Sequence, residues 1–364
     1  MQHPILDILK AYFKNEYLEM DPSLEESIIK FAKEQALTPF LYVVYQKKEY
    51  KPFYITAAIM QEEFLKLQKE ITQLFNENDI QHLYFKGSVL NQIYPDSALR
   101  TRGDIDVYVS ETDFNKAKSL FVENGFEVLH IDSQHHVEFL KNNLMVELHF
   151  ALFDVVRNID YFKKPFDLAR KVDQSLYEFT EINHFLYCLH HFKNHLRLGA
   201  GIRYLLDFYY MLKSYSLDRD ELHNYLEQLG YTRLYQNIIN SIYVITTEEL
   251  DCVTDENTDF FLEYLLKSGI HGFGEENERE NKGFNIKTNK AKAILTGTFM
   301  TDKSYRIAKY PRLGKHWFTY PLCLIHRIFY LIFTQTGKLF KLFFSKKNKV
   351  TKEEKEAFKK LGID

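Results

Sequence analysis

The spacing of hydrophobic residues changes twice along this 364-residue chain. Up to about residue 79, apolar positions recur every three or four residues, as in the long run 53–79, and this spacing is typical of amphipathic helices. Between residues 80 and 150 the apolar runs shorten to strand length and are rich in β-branched and aromatic residues. From about residue 160 the helical spacing returns. The pattern predicts a small sheet between two helical regions.

The central region predicts five strands and two helices. The strands are expected at residues 80–85, 104–109, 126–131, 135–140 and 143–150. The helices are expected at 88–94 and 112–125, the second with Thr112 as its N-cap and Gly125 just after its end. We therefore predict an α+β fold, in which a small mixed sheet with its helices is flanked by helical regions. The expected divisions are an N-terminal helical region (1–79), the core (80–160), a C-terminal helical domain (161–345) and a basic, charged tail (346–364).

The composition is that of an ordinary globular protein. Hydrophobic residues make up 45% and charged residues 27% of the chain, and the net charge is −3. This overall charge does not favour extensive nucleic-acid binding, which draws on clustered lysine and arginine. Cys188, Cys252 and Cys323 form no CxxC pair and cannot build a disulfide framework. With no basic-then-apolar leader after Met1, a cytoplasmic protein is expected.

Two carboxylates in the second predicted strand point to a bound cation. Asp104 and Asp106 are two positions apart, so they project from the same face of the strand, while Ile105, Val107 and Val109 point to the other. Adjacent carboxylates repel each other unless a cation lies between them. Mg²⁺ commonly binds one or two protein carboxylates together with phosphate oxygens of a substrate. The pair therefore predicts a magnesium site; a solvated edge strand is the alternative.

Two further features supply a phosphate-binding turn and a third carboxylate. Gly87 and Ser88 follow the first predicted strand and open a helix, where backbone N–H groups and a hydroxyl are available to an anion. Glu147 lies in the last predicted strand of the core. Three carboxylates and a phosphate-holding turn are the parts that two-metal phosphoryl or nucleotidyl transfer requires.

The order of these parts resembles the DNA polymerase β-type nucleotidyltransferase superfamily, in which a Gly-Ser turn and a helix precede Asp-x-Asp on one strand and a third acid on another. More narrowly, residues 84–109 resemble a bacterial family of uncharacterised nucleotidyltransferases. The resemblance spans roughly residues 25 to 335. It departs in the longer gap between Ser88 and Asp104 and in the third acid, which is Glu147 where Asp is commoner. The matching positions are Lys86, Gly87, Tyr94, Pro95, Arg100, Asp104, Asp106, Glu147, His149, His191, His195, Arg203 and Asp207.

The resemblance implies a nucleotidyltransferase core that moves a nucleoside monophosphate from a nucleoside triphosphate (NTP) to an acceptor, with Mg²⁺ or Mn²⁺ as cofactor. Asp104 and Asp106 would bind the metal ions. Glu147 would complete the second metal site and help to activate the acceptor hydroxyl.

The same resemblance implies a set of nucleotide-binding residues. Gly87 and Ser88 would hold the β- and γ-phosphates of the NTP. Lys86 and Arg100 are candidates to neutralise the charge of the triphosphate or of the departing pyrophosphate, although Lys86 is equally well interpreted as a solvated residue at a strand end. Arg102 is expected to be a surface residue.

Two pairs of polar residues in the later helices are candidates for the acceptor cleft. His191 and His195 lie one helical turn apart, as do Arg203 and Asp207. The HxxxH spacing is that of some zinc sites, but the glutamate of the HExxH motif is absent. Metal binding, acceptor recognition and a hydrogen-bond network between helices therefore all remain open.

Three further histidines lie in the predicted strands. His149 shares the strand face of Glu147, so it is expected close to the metal ions, where it would orient a carboxylate, contact substrate or only pack. His135 and His136 are expected only to begin a strand.

The C-terminal region contains an apolar run that is a candidate for membrane contact. The uncharged run 328–337 is too short for a span, which takes about 20 apolar residues. Because lysines follow it, a packed helix with a basic tail and a helix bound to an anionic membrane surface both remain open. Residues 351–364 are expected to form a short solvated helix, and the charged, glycine-rich residues 271–285 a loop.

Two classes of function follow from these patterns. The first is an enzyme that modifies a small molecule or a sugar, which the acidic net charge and the resemblance favour. The second is a catalytically silent nucleotide-binding or regulatory module, or a toxin-type nucleotidyltransferase that acts on RNA or protein. The presence of all three carboxylates favours the first class.

Overall fold

A computed structural model gives the fold of most of the chain. It describes residues 3–130, 135–154, 157–248, 256–270, 316–334 and 352–363, together with positions 272, 306, 309, 310 and 313. The loop expected at residues 271–285 lies outside these ranges except for position 272, and so do Lys338, Lys341, Lys346, Lys347 and Lys349, which follow the apolar run.

The N-terminal region is helical, as predicted. Its long fourth helix buries Phe64, Leu67, Ile71 and Phe75, which recur at the three- and four-residue spacing seen in the sequence. The Asp21-Pro22 dipeptide precedes the second helix by a short turn. The helices of this region are α1 (Pro4–Lys14), α2 (Glu25–Glu34), α3 (Thr38–Tyr45) and α4 (Lys51–Glu77).

The described part of the chain forms one mixed sheet of seven strands, in the order β3-β4-β5-β2-β1-β7-β6. The neighbouring pairs β2–β5 and β1–β7 are parallel, and the other pairs are antiparallel. The strands are β1 (His82–Tyr84), β2 (Asp104–Val109), β3 (Glu127–His130), β4 (His136–Lys141), β5 (Leu144–His149), β6 (Ala169–Lys171) and β7 (Leu176–Phe179).

The five predicted strands are confirmed, but β6 and β7 were missed. The expectation that helix returns at about residue 160 is therefore wrong for the segment that precedes Glu181. These two strands are three and four residues long, too short to show an alternating pattern. They join the sheet through parallel pairing of β7 with β1.

Two helices connect the strands of the core. The first, α5 (Gly87–Leu90), is shorter than the predicted helix 88–94. The second, α6 (Phe114–Glu123), has Asp113 at its N-cap position, so the expectation for Thr112 is wrong by one residue. Gly125 follows α6 with φ of +79°, the left-handed conformation for which glycine was expected there.

The C-terminal region is helical from Glu181 onward in the described residues. Its helices are α7 (Glu181–Leu196), α8 (Arg203–Ser214), α9 (Arg219–Leu229), α10 (Thr232–Thr246), α11 (Glu256–Lys267), α12 (Tyr320–Thr334) and α13 (Lys352–Leu361).

The sheet lies between two hydrophobic cores. On one face, Ile105 and Val107 of β2 pack with α4 and α6. On the other face, Leu83 and Tyr108 belong to a larger core that contains residues of both α1–α3 and α7–α11. The N-terminal and C-terminal helices thus share one core, which covers the face of the sheet that carries Asp106.

The last two helices differ in how they pack. The helix α13 was expected to be solvated, and this is wrong: Leu361 and the following Ile363 are buried in the larger core. On α12, Leu322, Ile325 and Phe329 are each more than half exposed. Within the described ranges, none of the helices combines the length and apolar character that a membrane crossing requires. Contact of α12 with a membrane surface stays a prediction.

Candidate active site

Three carboxylates meet on one face of the sheet because of the register of two parallel strands. Asp106 on β2 lies directly opposite Glu147 on β5, and Asp104 precedes Asp106 by two residues on the same face. Ile105 and Val107 fill the core on the opposite face, as the alternation of β2 predicts. The structure thus brings together the three carboxylates that were predicted from the sequence on two separate strands.

Lys86 and His149 lie among these carboxylates. The Lys86 ammonium donates a hydrogen bond to Asp106 Oδ1 over 2.7 Å, and it lies 3.9 Å from Glu147 Oε2. His149 Nε2 lies 3.0 Å from the same Asp106 oxygen and 3.1 Å from Glu147 Oε2. Lys86 is therefore a residue of this site and not a solvated strand end.

The crowding of charge affects the pKa of Asp104 and the pKa of Glu147 differently. Burial and the neighbouring charge of Asp106 raise the pKa of Asp104 to about 7. Burial also acts to raise the pKa of Glu147, but the hydrogen bond from His149 and the charges of His149 and Lys86 outweigh it and hold that pKa well below its ordinary value. The site thus contains an ionised Glu147 and a carboxyl group, Asp104, that titrates near neutral pH.

The carboxylate oxygens on this face of the sheet are suitable ligands for a hard divalent cation. Asp106 is fully buried, and its Oδ2 atom has no hydrogen-bond partner among the described residues. Asp106, Glu147 and His149 place ligand atoms within 4.8 Å of one another. Carboxylate oxygens suit Mg²⁺ and Mn²⁺, whose charge would offset the repulsion that Lys86 offsets here. Asp104 belongs to none of the converging groups, and metal binding by Asp104, Asp106 and Glu147 stays a prediction.

The Gly-Ser turn lies beside the carboxylates. Lys86 has φ of +51°, unusual for a residue with a side chain, where the chain passes from β1 into α5. A Cβ atom at Gly87 would lie 3.1 Å from Arg100 Nη1 and 3.4 Å from Arg102 Cβ, so glycine lets this loop approach. The buried Ser88 hydroxyl has no hydrogen-bond partner among the described residues, and a ligand oxygen would supply one. Binding of phosphate here stays a prediction.

Arg100 is engaged by other residues of the protein. Its Nε and Nη2 atoms donate to the two carboxylate oxygens of Asp207 on α8, over 2.7 and 3.1 Å, and its Nη1 donates to Asn91. The Tyr94 hydroxyl donates to the same carboxylate over 2.7 Å. This buried network joins the loop before β2 to α8. Contact of Arg100 with a nucleotide stays a prediction.

The carboxylates and the candidate acceptor residues of the later helices line one cavity of about 630 Å³, a volume typical of ligand pockets. Its helical wall contains His191, His195, Arg203 and Asp207. The rings of His191 and His195 lie 4.3 Å apart, and burial holds the pKa of His191 well below its ordinary value. Among the described residues, neither histidine belongs to a group of three converging metal ligands. A hydrogen-bond network between helices and acceptor recognition both stay predictions for this pair.

Three residues of this cavity were missed by sequence patterns. Arg102, expected at the surface, is half-buried and its guanidinium lies 4.5 Å from the Phe64 ring centroid. Burial and the charge of Arg100 lower the pKa of Arg102 to about 10. His135 and His136, expected only to begin a strand, also line the cavity. Their position depends on the pairing of β4 with β5, which no local pattern reveals.

The chain matches a known protein family over more than half of its length. The family model, described as "Uncharacterised nucleotidyltransferase", matches residues 25–242, a range that contains the whole sheet and every candidate site residue. Comparison with curated proteins found no significant match, and neither did comparison with solved structures.

Proposed function

We propose that this chain, which belongs to the family of uncharacterised nucleotidyltransferases, transfers a nucleoside monophosphate from an NTP to an acceptor hydroxyl or phosphate. The observation that carries the proposal is the convergence of Asp104, Asp106 and Glu147 at the wall of one cavity, beside the turn at Gly87. This arrangement supports a two-metal mechanism with Mg²⁺ or Mn²⁺.

In this mechanism the residues of the chain align two reactants. Bound Mg²⁺ or Mn²⁺ supplies positive charge to the triphosphate and lowers the pKa of the acceptor hydroxyl. Glu147 is ionised at neutral pH, because its pKa is low, and accepts a hydrogen bond from that hydroxyl. The acceptor oxygen bonds to the α-phosphorus as its proton passes by way of Glu147 to water and the bond to pyrophosphate breaks. Lys86 stabilises the negative charge that develops on the pyrophosphate.

The nucleotide phosphates are proposed to lie along the turn at Gly87 and Ser88. Arg102 adds to this site, because its side chain packs against the turn and its Nε and Nη2 atoms have no hydrogen-bond partner among the described residues. A half-buried guanidinium with free N–H groups is suited to a triphosphate. Arg100 contributes by holding the loop that carries Arg102.

The acceptor is proposed to be a small molecule or a sugar. The cavity of about 630 Å³ must hold both the nucleotide and the acceptor. The net charge of −3 does not favour a long nucleic acid, whose binding draws on many cationic side chains. We place the reaction in the cytoplasm, where the free thiols of Cys188 and Cys323 stay reduced.

Incubation of the protein with each α-³²P-labelled NTP, Mg²⁺ and a small-molecule fraction of a lysate tests the proposal. We expect one NTP to transfer its label to an acceptor, with release of pyrophosphate. Asp106→Asn should lower this rate by at least about a thousandfold, roughly 4 kcal/mol of transition-state stabilisation, because it removes the charge that holds the ions. Asp220→Asn, an exposed position on α9, is the matched control.

Two results would contradict the proposal. One is unchanged transfer in Asp106→Asn. The other is binding of Mg²⁺-NTP with no transfer to any small-molecule, RNA or protein fraction, which would identify a silent nucleotide-binding module. Transfer of the label to RNA or protein alone would overturn the small acceptor and identify a toxin-type enzyme.

A further inference from the structure

Three histidines cluster at one end of the sheet, beside the carboxylates. His136 on β4 pairs directly with His149 on β5, and His135 immediately precedes β4. The ring centroids lie 4.4 Å apart for His135 and His136, 5.0 Å for His136 and His149, and 5.5 Å for His135 and His149. One ligand nitrogen from each ring lies within 4.8 Å of the other two. Such convergence of three imidazoles is a common arrangement of a metal centre.

The buried His149 ring has a nitrogen that the carboxylate site does not use. Its Nε2 atom faces Asp106 and Glu147. Its Nδ1 atom, on the other side of the ring, has no hydrogen-bond partner among the described residues, although the side chain is fully buried. A buried nitrogen with no hydrogen-bond partner destabilises the fold, and a ligand at that position would remove this penalty.

The other two rings are only partly buried, unlike the ring of His149. Both also line the cavity, which gives an ion a route to them.

We propose that His135, His136 and His149 form a nitrogen-donor site for a divalent transition-metal ion of the Zn²⁺ type, beside the carboxylate site of Asp104, Asp106 and Glu147. Imidazole nitrogen binds Zn²⁺ and Co²⁺ well, whereas Mg²⁺ prefers oxygen ligands. An ion here would fix the orientation of His149, which in turn positions the carboxylates of Asp106 and Glu147. The proposal does not depend on nucleotidyl transfer.

Titration of the metal-free full-length protein with Co²⁺, in the presence of excess Mg²⁺, tests the site. We expect one Co²⁺ ion per chain, with visible absorption bands of nitrogen-ligated Co²⁺ that disappear when Zn²⁺ is added. His135→Ala should weaken Co²⁺ binding at least about tenfold, since it removes one of three protein ligands. His223→Ala, an exposed position on α9, should not change Co²⁺ affinity.

The carboxylate variant Asp104→Asn separates this proposal from the proposed function. It should weaken Mg²⁺-dependent NTP binding and leave Co²⁺ affinity within about twofold of wild type, because Asp104 belongs to none of the converging groups that contain these histidines. Failure of NTP binding with intact Co²⁺ binding would reject the proposed function alone.

Other outcomes would overturn the nitrogen-donor site. These are absence of Co²⁺ binding, a one-for-one competition of Co²⁺ with Mg²⁺, or unchanged affinity in both His135→Ala and His136→Gln. Near-ultraviolet circular dichroism of each variant shows whether it is folded. If neither variant folds, the competition between Co²⁺ and Mg²⁺ in the wild-type protein decides the question.

Discussion

At the scale of single residues, the candidate site depends on how Lys86 and His149 balance three carboxylates. Asp106 is fully buried and contacts both Lys86 and His149. Within the described part of the chain Asp104 forms no hydrogen bond with either side chain, and its pKa is raised to about 7 by burial and by the charge of Asp106. Glu147, whose pKa is held low, is thus ionised at neutral pH while Asp104 titrates there, although the two share one face of the sheet.

The raised pKa of Asp104 predicts a pH dependence of metal-dependent NTP binding. A metal ion binds the ionised carboxylate, so affinity should rise with pH through about 7. Between pH 6 and pH 8 the gain should be about tenfold if this proton alone is displaced. Lys86→Met should move the transition to higher pH, because the Lys86 charge lowers the pKa of Asp104. A transition that stays at the same pH in this variant would contradict the assignment. Isothermal titration calorimetry with Mg²⁺-NTP measures this affinity at each pH for the wild-type protein and for Lys86→Met.

Glu147 can be separated from its neighbour on β4 by a pair of matched variants. Glu147→Gln should lower turnover at least about a hundredfold while NTP affinity stays within a few-fold of wild type, because Asp104 and Asp106 hold the nucleotide's own metal ion. Glu138→Gln is the control, since Glu138 lies directly opposite Glu147 in the same sheet face. Full activity in the first variant and loss in the second would make Glu138 the third acid.

At the scale of elements, the loop between α5 and β2 is held by its contacts with two helices. Gln61 of α4 donates to the carbonyl oxygen of Arg100 over 2.6 Å, and Asn91 donates to the same oxygen over 2.7 Å. The ion pair of Arg100 with Asp207 fastens the loop to α8. The position of Arg102 and of the start of β2 therefore depends on two helices that flank the sheet.

Loss of one partner from this ion pair should be strongly destabilising. Asp207→Asn leaves Arg100 charged and buried, so the free energy of unfolding should fall by about 3–5 kcal/mol. The double variant Arg100→Met/Asp207→Leu should lose less than the sum of the single losses. Urea denaturation measures these changes. If Arg100 also binds nucleotide, Arg100→Met should weaken NTP binding more than Asp207→Asn does; equal weakening would assign Arg100 a positioning role only.

At the scale of the whole molecule, one core unites the two ends of the chain. It contains residues of α1–α3 and of α7–α11, together with Leu361 and Ile363 from the last helix. On α10, the side-chain amide of Asn237 donates to the carbonyl oxygen of Lys360 over 2.9 Å. The C-terminal helix α13 therefore contributes to the fold that surrounds the cavity.

Two glycines that follow helices test how firmly α13 is docked. Gly362 has φ of +75°, and a Cβ atom there would lie 2.7 Å from the backbone nitrogen of Leu234. Gly230 has φ of +68°, and a Cβ atom there would meet no heavy atom within 4 Å. Gly230→Ala should cost about 1 kcal/mol from backbone strain alone. Gly362→Ala should cost at least about 2 kcal/mol, because α13 must shift from α10. Guanidinium denaturation compares the two variants, and equal unfolding midpoints for Gly230→Ala and Gly362→Ala would show that α13 is loosely held.

Much of the fold followed from short-range patterns. The bounds of β2 agree with the predicted strand, and alternation along it placed Asp104 and Asp106 on one face and Ile105 on the other. The short strands β6 and β7 escaped prediction because three or four residues do not establish a period. Their place in the sheet depends on pairing with β1, which is remote in sequence.

The sequence by itself determined the α+β class, the same-face carboxylate pair and the Gly-Ser turn, because each depends on neighbours within a few residues. Only the tertiary structure decided which side chains surround them. Strand register placed Glu147 opposite Asp106 and gathered His135 and His136 around His149. Helix packing gave Arg100 its partner, Asp207. Alternation fixes the face on which a side chain lies, but pairing between distant segments, set by burial of the shared core, fixes what it meets there.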